Sequence, residues 1–383
     1  MRTRKSKKNI FGGIEQLEKR YAMTGDTVES LYADYYVDSH ISFDEMESLI
    51  EETKDQGYIG RWEIFSLKRI INNSNMPDYV RYLARQAIMG SEANTFFQGN
   101  IPLGNLEVGS SSSQIDMMLD KWFRGKDHPL TGKWYAKYKE VEGNLFVDGV
   151  SAGDVRQGRV GDCYLIAGLN SAAENDPEAV QSMFLEVGED LWVVRWYARI
   201  SREAHYVTVD NELPVSILPR TFDNSIFASF GRDTWNRNDP NNELWGALAE
   251  KSYVQVSQKN EFRGTRNYNH YQTLRAGLIG HVTVQIAKVA KSVHINRRVF
   301  QRRWSEQRFI DAVNHPNKTF NLALNGHAYT ITSYDPITKR FHLHNPWGTK
   351  HKDLTFAELQ SLSRTERMFY FAVVIISGSE KIS

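Results

Sequence analysis

Cys163 is the only cysteine in 383 residues. No disulfide framework can staple this fold, and no multi-thiolate metal centre can organise it. The chain must therefore bury an apolar core that stands by itself. Its composition allows that, with 41% hydrophobic and 24% charged residues, as in ordinary globular proteins. A lone thiol is most often a small buried hydrophobe. Only its surroundings can make it more.

Those surroundings are Gln157-Gly-Arg-Val-Gly-Asp-Cys163, followed by Tyr164-Leu-Ile-Ala-Gly-Leu169. Glycines and Asp162 are turn and cap residues, and the run after Cys163 is apolar at helical spacing. The thiol is thus expected in the first turn of a helix. Free N–H groups and the positive end of the helix dipole there favour a thiolate. Gln157 lies six residues earlier. Its side-chain amide, with the backbone N–H of Cys163, could supply the two donors that an acyl-transfer oxyanion needs. A base is offered by Asn325-Gly-His327, where the histidine opens a strand. Further on, His344-Asn345-Pro-Trp-Gly348 offers an amide that could fix the tautomer of that histidine without changing its charge. The order Cys, His, Asn is that of papain-like thiol enzymes.

The rest of the chain reads as a helical region followed by an α+β region. Residues 1–24 form a basic tail or targeting segment, because charges interrupt any secretory apolar stretch. Residues 25–112 read as helices. Ser42 with Glu45 forms a capping box ahead of Met46, Leu49 and Ile50. Trp62, Phe65, Leu67, Ile70 and Ile71 suggest a second amphipathic helix, and Pro77 the start of a third. Between the first two, Glu52–Glu63 has the outline of an EF-hand loop, with Gly57 sixth and Glu63 twelfth. Lys54 stands third, where a carboxylate is wanted, so weak calcium binding or none is expected there. Gly109-Ser-Ser-Ser-Ser113 has the composition of an exposed, mobile linker. Strands dominate beyond residue 260, ending in an apolar strand at Met368–Ile376.

Taken in order, several segments resemble the calpain family. Gln157-Gly-x-x-Gly-Asp-Cys163 followed by Tyr-Leu is similar to its nucleophile segment. Gly326-His-Ala-Tyr329 and Asn345-Pro-Trp-Gly348 are similar to its histidine and asparagine motifs. Val209-Asp-Asn-Glu-Leu-Pro214 and Glu243-Leu-Trp-Gly-Ala-Leu-Ala-Glu-Lys251 resemble two supporting segments. The resemblance runs over residues 140 to 377 and implies a two-lobed papain-like peptidase fold. A lobe at 113–258 would carry Gln157 and Cys163, and a sheet-rich lobe at 259–383 would carry His327 and Asn345. The implied activity is endoproteolysis of an extended protein or peptide, with Trp347 shielding the His–Asn pair. Tyr164 stands where the family has tryptophan. No cofactor is required for this chemistry, but the family uses calcium as a regulator. Gly149 and Asp154 match positions that ligate it, and Val147 could add a carbonyl. The family's distal acidic ligand has no evident counterpart. The family's acidic stretch after the asparagine motif is here Thr349-Lys-His-Lys352, which is basic. The chain therefore looks like a minimal, bacterial-type member.

Two other readings share these residues: a catalytically silent scaffold of the same fold, and a thiol acyltransferase. The full set Gln157, Cys163, His327 and Asn345 argues against the first. Asn345 in place of an aspartate argues against the second. A net charge of +1 gives no general attraction for nucleic acid. No apolar run reaches the roughly 20 residues of a membrane-spanning helix.

Overall fold

The computed structural model describes residues 27–375, apart from 133–134, 232–234, 260–261, 263–267 and 288–290. The basic tail at 1–24 lies outside the described residues. Two compact units divide the chain. One ends at Gly125, and the other begins at Lys126 and takes in Gln98–Asn100.

The first unit is helical. Helix α1 (Phe43–Glu52) starts at the predicted capping box: the Ser42 N–H donates to Glu45 Oε2 at 2.8 Å, and the Glu45 N–H to Ser42 Oγ at 3.3 Å. Met46, Leu49 and Ile50 are fully buried. Helix α2 (Arg61–Asn73) buries Leu67, Ile70 and Ile71, but Trp62 and Phe65 are 42% and 58% exposed. At 3.6 residues per turn those two fall on the opposite face from Ile64, Leu67 and Ile71. They pack edge to face on each other instead, with centroids 6.0 Å apart. Helix α3 spans Asp78–Ile88 with Pro77 as its N-cap. In the loop between α1 and α2, the Lys54 ammonium sits between the carboxylates of Glu51 and Asp116.

The serine run is not a free linker. Ser111 caps helix α4 (Ser112–Trp122), its Oγ accepting from the Gln114 N–H at 3.3 Å. Ile59 and Gly109–Ser110 exchange backbone bonds of 2.9 and 2.8 Å, and the Ser112 N–H donates to the Gly57 carbonyl at 3.0 Å. Serine composition suits a cap as well as a linker, and here the cap prevails.

The second unit holds the helix of the cysteine segment, α5 (Cys163–Asn175), buried from Tyr164 to Ala173. Strand β1 (Ala136–Glu140) pairs with β5 (Glu212–Ser216), while β2 (Phe184–Gly188), β3 (Leu191–Tyr197) and β4 (Ala204–Asp210) form a three-stranded antiparallel sheet. Helix α6 (Trp245–Val256) is locked to β4 and β5 by its fully buried Lys251. That ammonium donates to the carbonyls of Asp210 and Glu212 at 3.0 and 2.8 Å and touches the Asp210 carboxylate. A buried charge so paired is satisfied; stripped of its partners it would be costly.

The remaining strands make a six-stranded antiparallel sheet. They are β6 (Lys291–Asn296), β7 (Lys318–Leu324), β8 (His327–Asp335), β9 (Arg340–His344), β10 (Lys352–Thr355) and β11 (Phe369–Ile375), in the order β10-β9-β8-β7-β11-β6. Strand alternation gives the sheet two unlike faces. One face turns Ala323, Ala328, Ala372 and Val374 to the core around α5. The other carries Phe320, Phe341 and Phe371 against Phe300 and Phe309. Small residues on the first face let the helix come close. A buried polar chain then fixes its position: Thr330 Oγ1 donates to the Ala167 carbonyl of α5 at 2.8 Å and approaches Asn321 Oδ1 at 3.2 Å. Asn321 Nδ2 donates to Ser171 Oγ at 3.3 Å, and Ser171 meets Thr319. On its other side α5 has no room for a side chain at Gly168, where a Cβ would stand 2.6 Å from Val282 Cβ. No described helix is long and apolar enough to cross a membrane.

Candidate active site

Cys163 is the first residue of α5, as its sequence implies, with Asp162 as N-cap. The Leu165 N–H donates to the Asp162 carbonyl at 2.7 Å, which tightens the first turn. Asp162 is fully buried, and so is Glu250 of α6 at 1% exposure. Burial, Asp162 and the hydrogen bond between them push the Glu250 carboxyl well above the usual range. A protonated Glu250 that donates to Asp162 accounts for two acids meeting in the core. Glu250 Oε2 also accepts the Ala228 N–H at 2.8 Å. Nothing local marks this pairing, since the residues lie far apart in the chain.

His327 opens β8 immediately after a two-residue turn. Asn325 and Gly326 both have positive φ, 53° and 80°, the signature of the tight turn that Asn-Gly favours between antiparallel strands. The glycine serves this turn rather than a close backbone approach, because a Cβ on Gly326 would meet nothing within 4 Å. The turn sets His327 opposite Leu324. His327 Nε2 lies 2.9 Å from Asn345 Oδ1. Asn345 is 1% exposed and held on three further sides. Its Oδ1 accepts the Trp347 N–H at 3.0 Å, its Nδ2 donates to the Lys350 carbonyl at 3.3 Å, and its own N–H donates to His351 Nδ1 at 3.1 Å. Trp347 tilts over the imidazole with centroids 4.6 Å apart while staying 47% exposed.

Backbone links tie the cysteine segment to both motifs. The Cys163 thiol is hydrogen-bonded with the backbone of Ala328, the residue after His327. The Gln157 N–H donates to the Pro346 carbonyl at 2.8 Å. Gln157 Nε2 donates one hydrogen to the Val160 carbonyl at 2.7 Å, which fixes the amide and leaves its second N–H.

The electrostatics depart from the sequence reading at the thiol. Burial pushes the Cys163 thiol up, and Asp162 adds to this. The backbone bonds of Ala328, Tyr164 and Cys163 itself pull the other way without prevailing. Burial holds His327 below the ordinary imidazole range, against the Asn345 bond and with help from Lys352. Both shifts favour a neutral thiol beside a neutral imidazole.

The calcium-candidate segment closes on itself. Asp154 is 3% exposed, and its two oxygens accept from Ser151 N–H and Oγ, each at 2.6 Å. The Val147 N–H donates to Glu243 Oε1 at 3.0 Å. Gly149 has φ +91° with open space at its Cβ. Glu243, at the start of the segment that leads into α6, is thus an acid held beside these residues. Calcium wants six to eight oxygens. As arranged, both carboxylates serve protein donors, and these residues do not present such a cage.

Comparison with known proteins agrees with this architecture. The profile described as "Calpain family cysteine protease" matches residues 110–358. The chain belongs to the calpain family, a class of cysteine-type endopeptidases. Among curated relatives, a calpain of Schistosoma mansoni is 27% identical over 225 residues, covering 54% of this chain and 28% of that protein. Calpain-9 of Mus musculus is 24% identical over 233 residues, 56% of this chain and 31% of its own length. Calpain-5 of Mus musculus is 24% identical over 292 residues, covering 64% and 42%. The chain therefore spans well under half the length of these relatives.

Proposed function

We propose that this protein cleaves peptide bonds with Cys163 as nucleophile, His327 as base and Asn345 as the residue that orients the imidazole. The observation that carries the reading is the 2.9 Å contact of His327 Nε2 with Asn345 Oδ1, next to the Ala328 backbone bond to the thiol. An amide oxygen accepts, so Nε2 carries the proton and Nδ1 keeps its lone pair. As Cys163 attacks the carbonyl carbon, Nδ1 takes the thiol proton. The free N–H of Gln157 and the backbone N–H of Cys163 receive the developing oxyanion. His327 then gives the proton to the departing amine, leaving a thioester. Water, deprotonated by His327, opens the thioester and releases the acid and the thiol. No cofactor takes part in these steps, and calcium remains a regulator by family resemblance only. The fold is read as the two-lobed papain type, with an extended protein or peptide in the cleft.

The test is labelling with a peptide-like epoxide at neutral pH. Wild type should lose its free thiol to the label at Cys163, and His327→Ala should slow this by about 100-fold or more, the usual share of a positioned base. Equal labelling of both proteins would refute the assignment. Product analysis with an added amine would separate hydrolysis from acyl transfer.

A further inference from the structure

We propose that His342, His344 and His351 form a binding site for a divalent transition-metal ion of the zinc type, beside the candidate active site. His342 and His344 alternate along β9 and so project from one face of the sheet. Strand β10 pairs with β9, His342 opposite Asp353 and Leu343 opposite Lys352, which brings His351 alongside. One ring nitrogen from each histidine lies within 4.8 Å of the others. The His351 ring is 4.6 Å from that of His344 and 5.5 Å from that of His342, centroid to centroid.

Two observations point to a ligand. His344 Nε2 is buried with no hydrogen-bond partner, which leaves its lone pair or proton open to a ligand. His342 Nδ1 lies 2.8 Å from Asp353 Oδ1. A carboxylate holding one nitrogen of an imidazole leaves the other oriented as a metal ligand, as in many zinc sites. Three imidazoles with an open fourth position suit zinc, whereas magnesium and calcium demand oxygen donors. Tetrahedral zinc sets its nitrogens about 3.3 Å apart, so the rings must draw together, and exposed His351 can supply the movement. Arg156, packed against Gly348, and the neighbouring Lys350 and Lys352 oppose a cation, while Asp353 favours it. Among the described residues, a second such group, His128 with Asp210 and Glu212, already holds the ammonium groups of Lys126 and Lys251.

An ion here would reach Asn345. His351 Nδ1 accepts the Asn345 N–H. Metal on Nδ1 replaces that bond, and metal on Nε2 displaces the ring's bond to the Gly348 backbone and moves the ring proton to Nδ1, where it faces the Asn345 N–H. Either way Asn345 loses a restraint. This link rests on the peptidase reading; ion binding does not.

The experiment uses the full chain as Cys163→Ser, which removes the thiol as a rival ligand, with cobalt(II) as a visible probe. The expected result is one equivalent of cobalt with ligand-field absorption, displaced by zinc. His342→Ala and His344→Ala should each weaken zinc by at least about 100-fold, and Asp353→Asn by about 10-fold. His128→Ala should change nothing. No ligand-field spectrum would overturn the site, as would a spectrum that survives His342→Ala in a variant melting like its parent. Should His344→Ala fail to fold, the exposed Asp353 and the partly exposed His342 keep the test decisive. With the thiol restored, zinc should slow epoxide labelling and His342→Ala should relieve it. Labelling indifferent to zinc, in protein that gives the cobalt spectrum, would overturn the link to Asn345 and leave the ion site standing.

Discussion

Burial acts in opposite directions on Cys163 and His327, raising the thiol and lowering the imidazole. For catalysis the consequence is a base that stays unprotonated further into acid. With EDTA present, the acid limb of labelling should have its midpoint below the ordinary imidazole value of about 6.5. A midpoint at or above 6.5 would mean that the fold does not depress the imidazole. The sequence makes the opposite electrostatic expectation reasonable, because a helix start does favour a thiolate. What it cannot display is how much low-dielectric surface the fold heaps on the sulfur. The contact between His327 and Asn345 was legible from their motifs. The Glu250–Asp162 pair and the place of Glu243 were not, since each depends on which distant segment packs alongside.

Between elements, the decisive contact is the polar chain from Thr330 and Asn321 to Ala167 and Ser171. It fixes the register of α5, which carries Cys163, against β8, which carries His327. Thr330→Val keeps the shape but removes the donor. It should cost about 1–3 kcal/mol in denaturant unfolding and lower the labelling rate, because the helix can then slip along the strand. Unchanged labelling in a destabilised variant would show that packing alone sets the register. Helix α1 and its capping box could be read directly, as could the strand at Phe369–Ile375, because local pattern decides them. The turn before His327 is less direct, because the glycine of Asn325-Gly326 suits a close backbone approach as well as the hairpin turn it makes. Trp62 and Phe65 lie off the buried face of α2, which an apolar count that ignores angle does not reveal. Gly109–Ser113 misled because one composition serves both loops and caps.

Across the whole molecule, buried histidines make the fold sensitive to acid. Burial with Lys259 nearby lowers His205 to about 4, and burial with Arg199 and His294 nearby lowers His281 to about 4. In the unfolded chain both protonate near 6.5. Their contribution to stability is full above that value and is lost as pH falls toward 4, because the unfolded chain takes up protons that the fold refuses. The melting temperature should drop over this window, and His205→Asn should flatten the slope; an identical slope would locate the acid sensitivity elsewhere. The bond from the Gln157 N–H to the Pro346 carbonyl bears on how such a protease could be governed. It stitches the strand of chain leading to the nucleophile onto the loop that carries the asparagine. A trigger that works by sliding these two segments past each other would first have to break that stitch. Restraint that leaves it intact would fall on the doorway, by barring substrate, or on the fittings around Asn345, by loosening them.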